Sequence, residues 1–219
     1  MVRDGYVGVK PGTISSYQDL LDYLNRLNAD WVNTMKRMSP TVLTNLLEAT
    51  GKEFCNHIAS LQPFAPAIFP VSWAGETESA NWFHVAREYT EKWIHQQQIR
   101  DAVNKPGIVT KELFYPSVDT LLRGLPHTYR NVAAITGTCI EVTISTDIGG
   151  NWFLIKMEQG WQLGYEQKSE PESHIIISPE VAWKLFSKGI TAGMVLQQTE
   201  INGNQELGKI ALTMISVMA

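Results

Sequence analysis

The sequence is poor in cysteine, and its two cysteines, Cys55 and Cys139, lie far apart and form no CxxC motif. A disulfide framework or a thiolate zinc site is therefore not expected, and this cysteine usage fits a reducing cytoplasm best. Charge is also scarce, because charged residues make up 18% of the chain, the formal net charge is -4, and no basic run occurs. Nucleic acids and anionic membranes are thus excluded as expected partners.

Long apolar runs and nucleotide-binding motifs are absent as well. No segment is apolar for long enough to span a bilayer, and the N-terminal MVRDGYVGVKPGT lacks the apolar core of a signal peptide. The sequence contains no glycine-rich phosphate loop and no GxSxG motif. What is present is a chain of 219 residues, 44% of them hydrophobic, which suffices for a core in one or two domains. These features predict a cytoplasmic protein without a membrane span.

Apolar residues recur at helical spacing through the first half of the chain. Four helical segments are predicted, and they are SSYQDLLDYLNRLNADWVNTMKRM, TVLTNLLEATGKEFCNHIASL, WFHVAREYTEKWIHQQQIRD and KELFYPSVDTLLRGLPHTYRN. Ser15 or Ser16 is a suitable N-cap for the first, and Ser39-Pro40 starts the second. Interruptions of the fourth segment are expected at Pro116 and Pro126.

After about residue 132 the pattern changes to alternating, β-branched and aromatic segments. Four strands are predicted, and they are TCIEVTIST, NWFLIKME, GWQLGYEQ and HIIIS. The helix PEVAWKLFSKG follows, then a turn at NGNQELG and a closing helix or strand at KIALTMISVM. The sequence therefore predicts an α+β protein, with a four-helix part at residues 1–132 and a small α+β part at residues 133–219.

The third helical segment carries titratable residues at steps of four, three and four, at His84, Glu88, Glu91 and His95. At about 100° per residue they fall within an arc of roughly 60°. A Glu and a His one turn apart can bind one divalent ion, and this donor pair suits zinc, nickel or iron. The same pattern is also typical of the solvated face of an ordinary amphipathic helix. The spacing alone leaves both interpretations open, and a metal site needs a third protein ligand.

AREYTEKWIHQQQIRD resembles the third-helix motif of the DinB-like superfamily. Within this superfamily, the sequence is more similar to the mycothiol-dependent maleylpyruvate isomerase type. In proteins of that type, a metal-binding helical bundle precedes a small domain of sterol-carrier-protein-like fold. Further segments resemble uncharacterised members with this layout, namely RLNADWVNTMKRMSPTVLTNLLEATG, LQPFAPAIFPVSWAGE, LPHTYRNV, AWKLFSKG and NGNQELGKIALTMISVMA. The resemblance covers nearly the whole chain, and its motifs are specific for fold and family rather than for one reaction.

The resemblance implies a metal held by two histidines and a glutamate, of which Glu91 and His95 match the E-x-x-x-H pair of the third helix. The histidine of the first bundle helix has no counterpart, because the sequence starts at RDGY, after the point where members place that helix. We therefore expect an incomplete bundle. Either no metal binds, or His84 replaces the missing ligand, or a second copy fills the open wall. Dimerisation combined with a weak or vacant site is the favoured hypothesis.

Two functions are expected from this resemblance. The first is a metal-dependent isomerase or transferase that acts on a small molecule with a low-molecular-weight thiol as cofactor. Its metal, zinc before nickel or iron, would act as a Lewis acid. The second is a non-catalytic binding or assembly module that forms a homodimer through the groove left by the missing helix. No catalytic acid or base can be named from the sequence.

Overall fold

The computed structural model describes residues 9–10 and 12–217 and shows an α+β protein. Its helices are α1 (Tyr17–Met35), α2 (Pro40–Ser60), α3 (Asn81–Ala102), α4 (Lys111–Leu122), α5 (Leu125–Thr128), α6 (Pro179–Phe186), α7 (Ala192–Val195) and α8 (Gln205–Ala211). Its strands are β1 (Cys139–Ile144), β2 (Gly150–Met157), β3 (Gly160–Gly164), β4 (Ser173–Ile177) and β5 (Glu200–Gly203). Short 3-10 helices lie at Ser72–Ala74 and Leu196–Gln198.

Contacts divide the chain into two compact units, one containing the chain up to Gln62 and the other spanning Pro63–Val217. The expectation that the first bundle helix is missing concerns the start of the chain, where residues 1–8 lie outside the described part. Among the described helices, none has both the length and the apolar character needed to cross a membrane.

The first unit consists of α1 and α2, and both helices begin at serine N-caps as the sequence predicts. The Ser16 hydroxyl accepts a hydrogen bond from the backbone N–H of Asp19, whose carboxylate accepts one from the backbone N–H of Ser16. Ser39 caps α2, with Pro40 in its first turn. No residue of α1 or α2 is buried. Their helical structure therefore depends strongly on local interactions such as these caps.

The second unit is built around a five-stranded sheet in the order β3-β2-β1-β4-β5. β1 pairs with β2 in antiparallel and with β4 in parallel orientation, while β3 and β5 form antiparallel edges. Strand residues alternate between the two faces of a sheet. One face carries the buried apolar residues, which are Ile140, Val142, Ile144, Trp152, Leu154, Ile175 and Ile177. The opposite face, which we call the outer face, carries the intervening residues of each strand.

Helices α3, α4 and α6 contribute to the same hydrophobic core as the sheet. The Trp93 ring of α3 lies 5.5 Å from that of Phe114 in α4 and 5.9 Å from that of Trp183 in α6. The predicted division near residue 132 thus lies inside a unit with one continuous core. As the boundary between a DinB-like helical bundle and a sterol-carrier-protein-like domain, it stays a prediction.

Three local predictions differ from the structure. Helix α4 continues through Pro116, where an interruption was expected. NGNQELG is not simply a turn, because β5 ends within it and α8 starts at Gln205, capped by the Asn204 side chain. KIALTMISVM is helical only up to Ala211, and the following residues as far as Val217 form no regular element. Asn204 is a strong N-cap residue, which explains the helix start.

Candidate functional site

The predicted metal-binding pair, Glu91 and His95, lies one turn apart on α3. The carboxylate Oε2 of Glu91 is 3.7 Å from Nε2 of His95, and the two side chains are 37% and 69% exposed. Nδ1 of His95 is 3.0 Å from Oε1 of Gln98. Because an amide oxygen only accepts, this contact makes Nδ1 the donor, and in the neutral form of the ring the lone pair is then on Nε2, towards Glu91. The pair thus presents an imidazole nitrogen and a carboxylate oxygen to one point above the helix.

Glu91 lies in an environment that opposes its negative charge. Burial raises the pKa of its carboxyl above the ordinary value of 4.5, and the nearby charge of Glu88 acts in the same direction. His95 and Arg87 lower this pKa and so offset part of the effect. A desolvated carboxylate gains more from a nearby cation than a hydrated one does. A divalent ion at this position would therefore favour the ionised form of Glu91.

The third predicted ligand, His84, lies elsewhere on α3 and has a different neighbour. Its ring is buried, and its Nδ1 is 2.7 Å from a guanidinium nitrogen of Arg87. The same nitrogen of Arg87 forms an ion pair of 3.0 Å with Glu88. The structure therefore brings Glu91 and His95 together and does not bring His84 to them. Glu88 forms its ion pair with Arg87, the residue before it in the chain.

Glu91 and His95 on α3 are residue types that bind metal ions, but they supply fewer ligands than a metal site needs. Among residues 9–10 and 12–217, no group of three or more His, Cys, Asp or Glu side chains is arranged to hold a metal ion. Zinc takes imidazole and carboxylate ligands, and catalytic zinc sites use three protein ligands. Glu91 and His95 supply two of them. Metal binding by Glu91, His95 and His84 accordingly stays a prediction.

A second carboxylate–imidazole pair lies on the outer face of the sheet. Nε2 of His174 in β4 is 3.8 Å from Oε2 of Glu141 in β1, and 2.8 Å from the Thr143 hydroxyl oxygen. Sequence reasoning missed this pair because a strand prediction for HIIIS does not say which strand lies beside it. The only sequence signal is the alternation that puts Glu141 on the polar side of β1, and the strand register is needed to bring His174 beside it.

Arg123 forms an ion pair with Asp119. Its guanidinium lies 3.1 Å from the carboxylate of Asp119, one turn away on α4, and stacks over the Trp82 ring at 5.0 Å. The indole N–H of Trp152 and the hydroxyl of Tyr165 each donate to Asp119 over 2.9 Å. This cluster joins α4 to the sheet, and its polar groups are engaged with one another.

An open depression of about 250 Å³ lies beside the β2–β3 hairpin. It is lined by Ile155, Met157, Gln162, Leu163, Gly164, Tyr165, Glu166 and Lys168. None of the predicted metal ligands contributes to its wall.

No protein-family model and no curated protein matches the chain. Solved structures similar to its C-terminal part include sterol carrier proteins. Sterol carrier protein 2 like 2 of Aedes aegypti has 20% identity and a TM-score of 0.33, with 43% of this chain and 93% of that chain covered. Sterol carrier protein 2 of Yarrowia lipolytica has 15% identity and a TM-score of 0.30, with 64% and 91% covered. The Helicoverpa armigera sterol carrier protein domain 2 has 18% identity and a TM-score of 0.28, with 47% and 84% covered.

Proposed function

We propose that the protein binds a divalent metal ion, zinc before nickel or iron, through Glu91 and His95 of α3. The observation that carries this proposal is the distance of 3.7 Å between Oε2 of Glu91 and Nε2 of His95. The contact from Nδ1 of His95 to Gln98 supports it, because such outer contacts fix the tautomer and orientation of a metal-binding imidazole.

The reaction class that we propose is isomerisation or group transfer on a small molecule, with a low-molecular-weight thiol as cofactor, as the DinB-like resemblance implies. A bound metal would supply Lewis-acid chemistry, which polarises a carbonyl or lowers the pKa of a thiol or water. The chain's own contribution is to hold two donors on one rigid helix. Because Glu91 must be ionised to bind, the raised pKa of its carboxyl makes binding stronger as the pH rises above that pKa.

Zinc titration of the full chain by isothermal calorimetry tests this proposal. We expect Glu91→Gln and His95→Ala each to remove one binding event. Glu180→Gln is the matched control, because Glu180 is an exposed carboxylate one turn from Lys184 rather than from a histidine. A zinc stoichiometry that is identical in wild type, Glu91→Gln and His95→Ala would contradict the proposal.

A specific observation also favours the second candidate function, assembly into a homodimer. Helices α1 and α2 have no buried residue, and they expose large apolar side chains such as Trp31 at 59% and Leu47 at 62%. In proteins most of the stability of a helix comes from packing of its apolar face, and exposed apolar faces favour association. We propose that a second copy of the chain covers these faces in a symmetric pairing.

Sedimentation velocity at micromolar concentration tests the homodimer. Wild type is expected to sediment as a dimer, while Trp31→Glu and Leu47→Glu shift it towards the monomer, since each places a charge in an apolar contact. Asn45→Glu is the control, because it adds the same charge at an exposed polar position of α2. A wild-type chain that is monomeric across this concentration range would exclude the homodimer.

A further inference from the structure

The outer face of the sheet brings polar side chains from three adjacent strands together. Glu141 and Thr143 lie two residues apart on β1, Asn151 is paired with Thr143 across the antiparallel register, and His174 is paired with Glu141 across the parallel register. Residues paired in this way point to the same face. Four side chains from three strands thus become neighbours on a rigid scaffold.

The contacts among these side chains are short. The Thr143 hydroxyl oxygen lies 2.8 Å from Nε2 of His174, 3.0 Å from Oδ1 of Asn151 and 3.5 Å from Oε1 of Glu141. Nε2 of His174 lies 3.8 Å from Oε2 of Glu141. One imidazole nitrogen and three kinds of oxygen therefore surround one small region above the sheet.

The charge on this face favours a cation. Alternation and register place the charged strand residues Glu141 and Glu200 on the outer face, together with His174. No lysine or arginine of the five described strands shares it, because Lys156, the one basic strand residue, lies over Trp161 on the opposite side. The Glu141 and His174 side chains are only 14% and 31% exposed, so this negative charge is partly shielded from water.

We propose that Glu141, His174, Thr143 and Asn151 form a second divalent-metal site, distinct from the pair on α3. The imidazole and the carboxylate are ligands that first-row ions of the zinc class take, and the hydroxyl and amide oxygens add two neutral donors beside them. This set offers two more donors than Glu91 and His95 do, and these donors come from strands that hold them in place. The Thr143 hydroxyl hydrogen can turn towards Oδ1 of Asn151 when Nε2 of His174 donates its lone pair to the metal.

The test uses the full chain with Glu91→Gln and His95→Ala combined, so that the pair on α3 no longer contributes. Zinc is titrated into this double variant by calorimetry, and histidine side-chain NMR follows the imidazoles. We expect about one bound zinc, with His174 shifting on addition. Adding His174→Ala or Glu141→Gln should weaken binding by about tenfold or more.

Position 143 provides a matched pair of variants. Thr143→Ser retains the hydroxyl and should retain binding, while Thr143→Val removes it at nearly constant volume and should weaken binding. His57→Ala, in α2, is the histidine control and should have no effect. Circular dichroism checks that each variant keeps its fold.

Two results would overturn this site. One is that the double variant binds no zinc up to about 1 mM, where any specific site would show at least weak affinity. The other is that His174→Ala and Glu141→Gln bind zinc as the double variant does. Failure of the site on α3 is recognised separately, because wild type and the double variant would then bind the same amount of zinc.

Discussion

Asp119 accepts hydrogen bonds from three side chains, those of Arg123, Trp152 and Tyr165. The Trp152 side chain is fully buried, so its indole N–H has no access to water once Asp119 is removed. Leaving a buried donor unpaired costs about 1–3 kcal/mol. We therefore expect Asp119→Ala to lower the free energy of unfolding by about 2 kcal/mol, measured by urea denaturation.

Asp147→Ala provides the control for this prediction, because Asp147 is exposed in the turn between β1 and β2. Tyr165→Phe should cost less than Asp119→Ala, since it leaves the bond from Trp152 to Asp119 in place. Equal stability of Asp119→Ala and Asp147→Ala would show that the cluster contributes nothing measurable.

Glu91 allows a prediction about pH at the same scale. Its pKa is raised in the folded chain, chiefly by burial, so the ionised carboxylate destabilises the folded state. Glu91 makes its full favourable contribution to the free energy of unfolding when the pH is below 4.5, the ordinary pKa of the carboxyl. This contribution is lost as the pH rises through the folded-state pKa. Glu91→Gln should therefore raise the melting temperature at pH 7 relative to wild type, and this difference should disappear below pH 4.5.

If the pair on α3 binds zinc, added zinc should make wild type more stable than Glu91→Gln at pH 7. A ligand that binds the folded state raises the melting temperature of wild type and has less effect on a chain that lacks the ligand residue. A melting temperature of Glu91→Gln that equals or falls below that of metal-free wild type at pH 7 would contradict the burial argument.

Single residues show where sequence reasoning succeeds and where it fails. Glu91 and His95 could be paired from the sequence because helical periodicity fixes which side chains are neighbours within one element. The burial of His84 could not be predicted, because it depends on what packs around α3, whereas its contact with Arg87 is between neighbours within the helix. Glu141 and His174 lie on different strands, and only the register between β1 and β4 brings them together.

At the scale of elements, α1 offers a test of local stabilisation. It has no buried residue, and its capping box is formed by Ser16 and Asp19. Loss of a serine N-cap costs about 1 kcal/mol. We expect Ser16→Ala to lower the hydrogen-exchange protection of the α1 amides by about fivefold, because these amides exchange through local opening.

Ser39→Ala is the matched control, since Ser39 caps α2 rather than α1. It should leave exchange within α1 unchanged and accelerate exchange at the start of α2. Unchanged α1 protection in Ser16→Ala would mean that tertiary contacts, rather than the cap, hold this helix.

Most elements could be predicted because each has its own periodicity. The four predicted strands correspond to β1, β2, β3 and β4, and the helix after Ser178-Pro179 begins where its cap predicts. Strand β5 was missed, since a four-residue edge strand has little alternation to recognise. Pro116 does not break α4, because tertiary packing of its buried residues outweighs one missing hydrogen bond.

At the scale of the whole molecule, the positions of the buried core residues in the sequence predict which fragment can fold alone. Every buried member of the large hydrophobic cluster lies between Trp93 and Val217, within the unit Pro63–Val217. A fragment of residues 63–217 should therefore fold by itself and unfold cooperatively near the melting temperature of the full chain. Differential scanning calorimetry measures this, and a fragment without a cooperative transition would show that residues 1–62 are required.

The arrangement of the whole molecule was the hardest part to predict. An α+β class follows from helices before strands, and the structure confirms it. The common core of α3, α4, α6 and the sheet does not follow, because sequence periodicity marks apolar faces without showing which faces meet. The predicted division near residue 132 reflects a change of composition, whereas the packing of Trp93 against Trp183 crosses it.

Two hydrogen bonds described by the structure tie the C-terminal segment to the middle of the chain. The Tyr129 hydroxyl donates to the carbonyl of Leu207, 78 residues later, and the Ser216 hydroxyl donates to the carbonyl of Leu121, 95 residues earlier. The same segment contributes four buried members of the core, which are Ala211, Leu212, Met214 and Val217. A nascent chain that still lacks these residues is therefore expected to expose part of its apolar core to chaperones during synthesis.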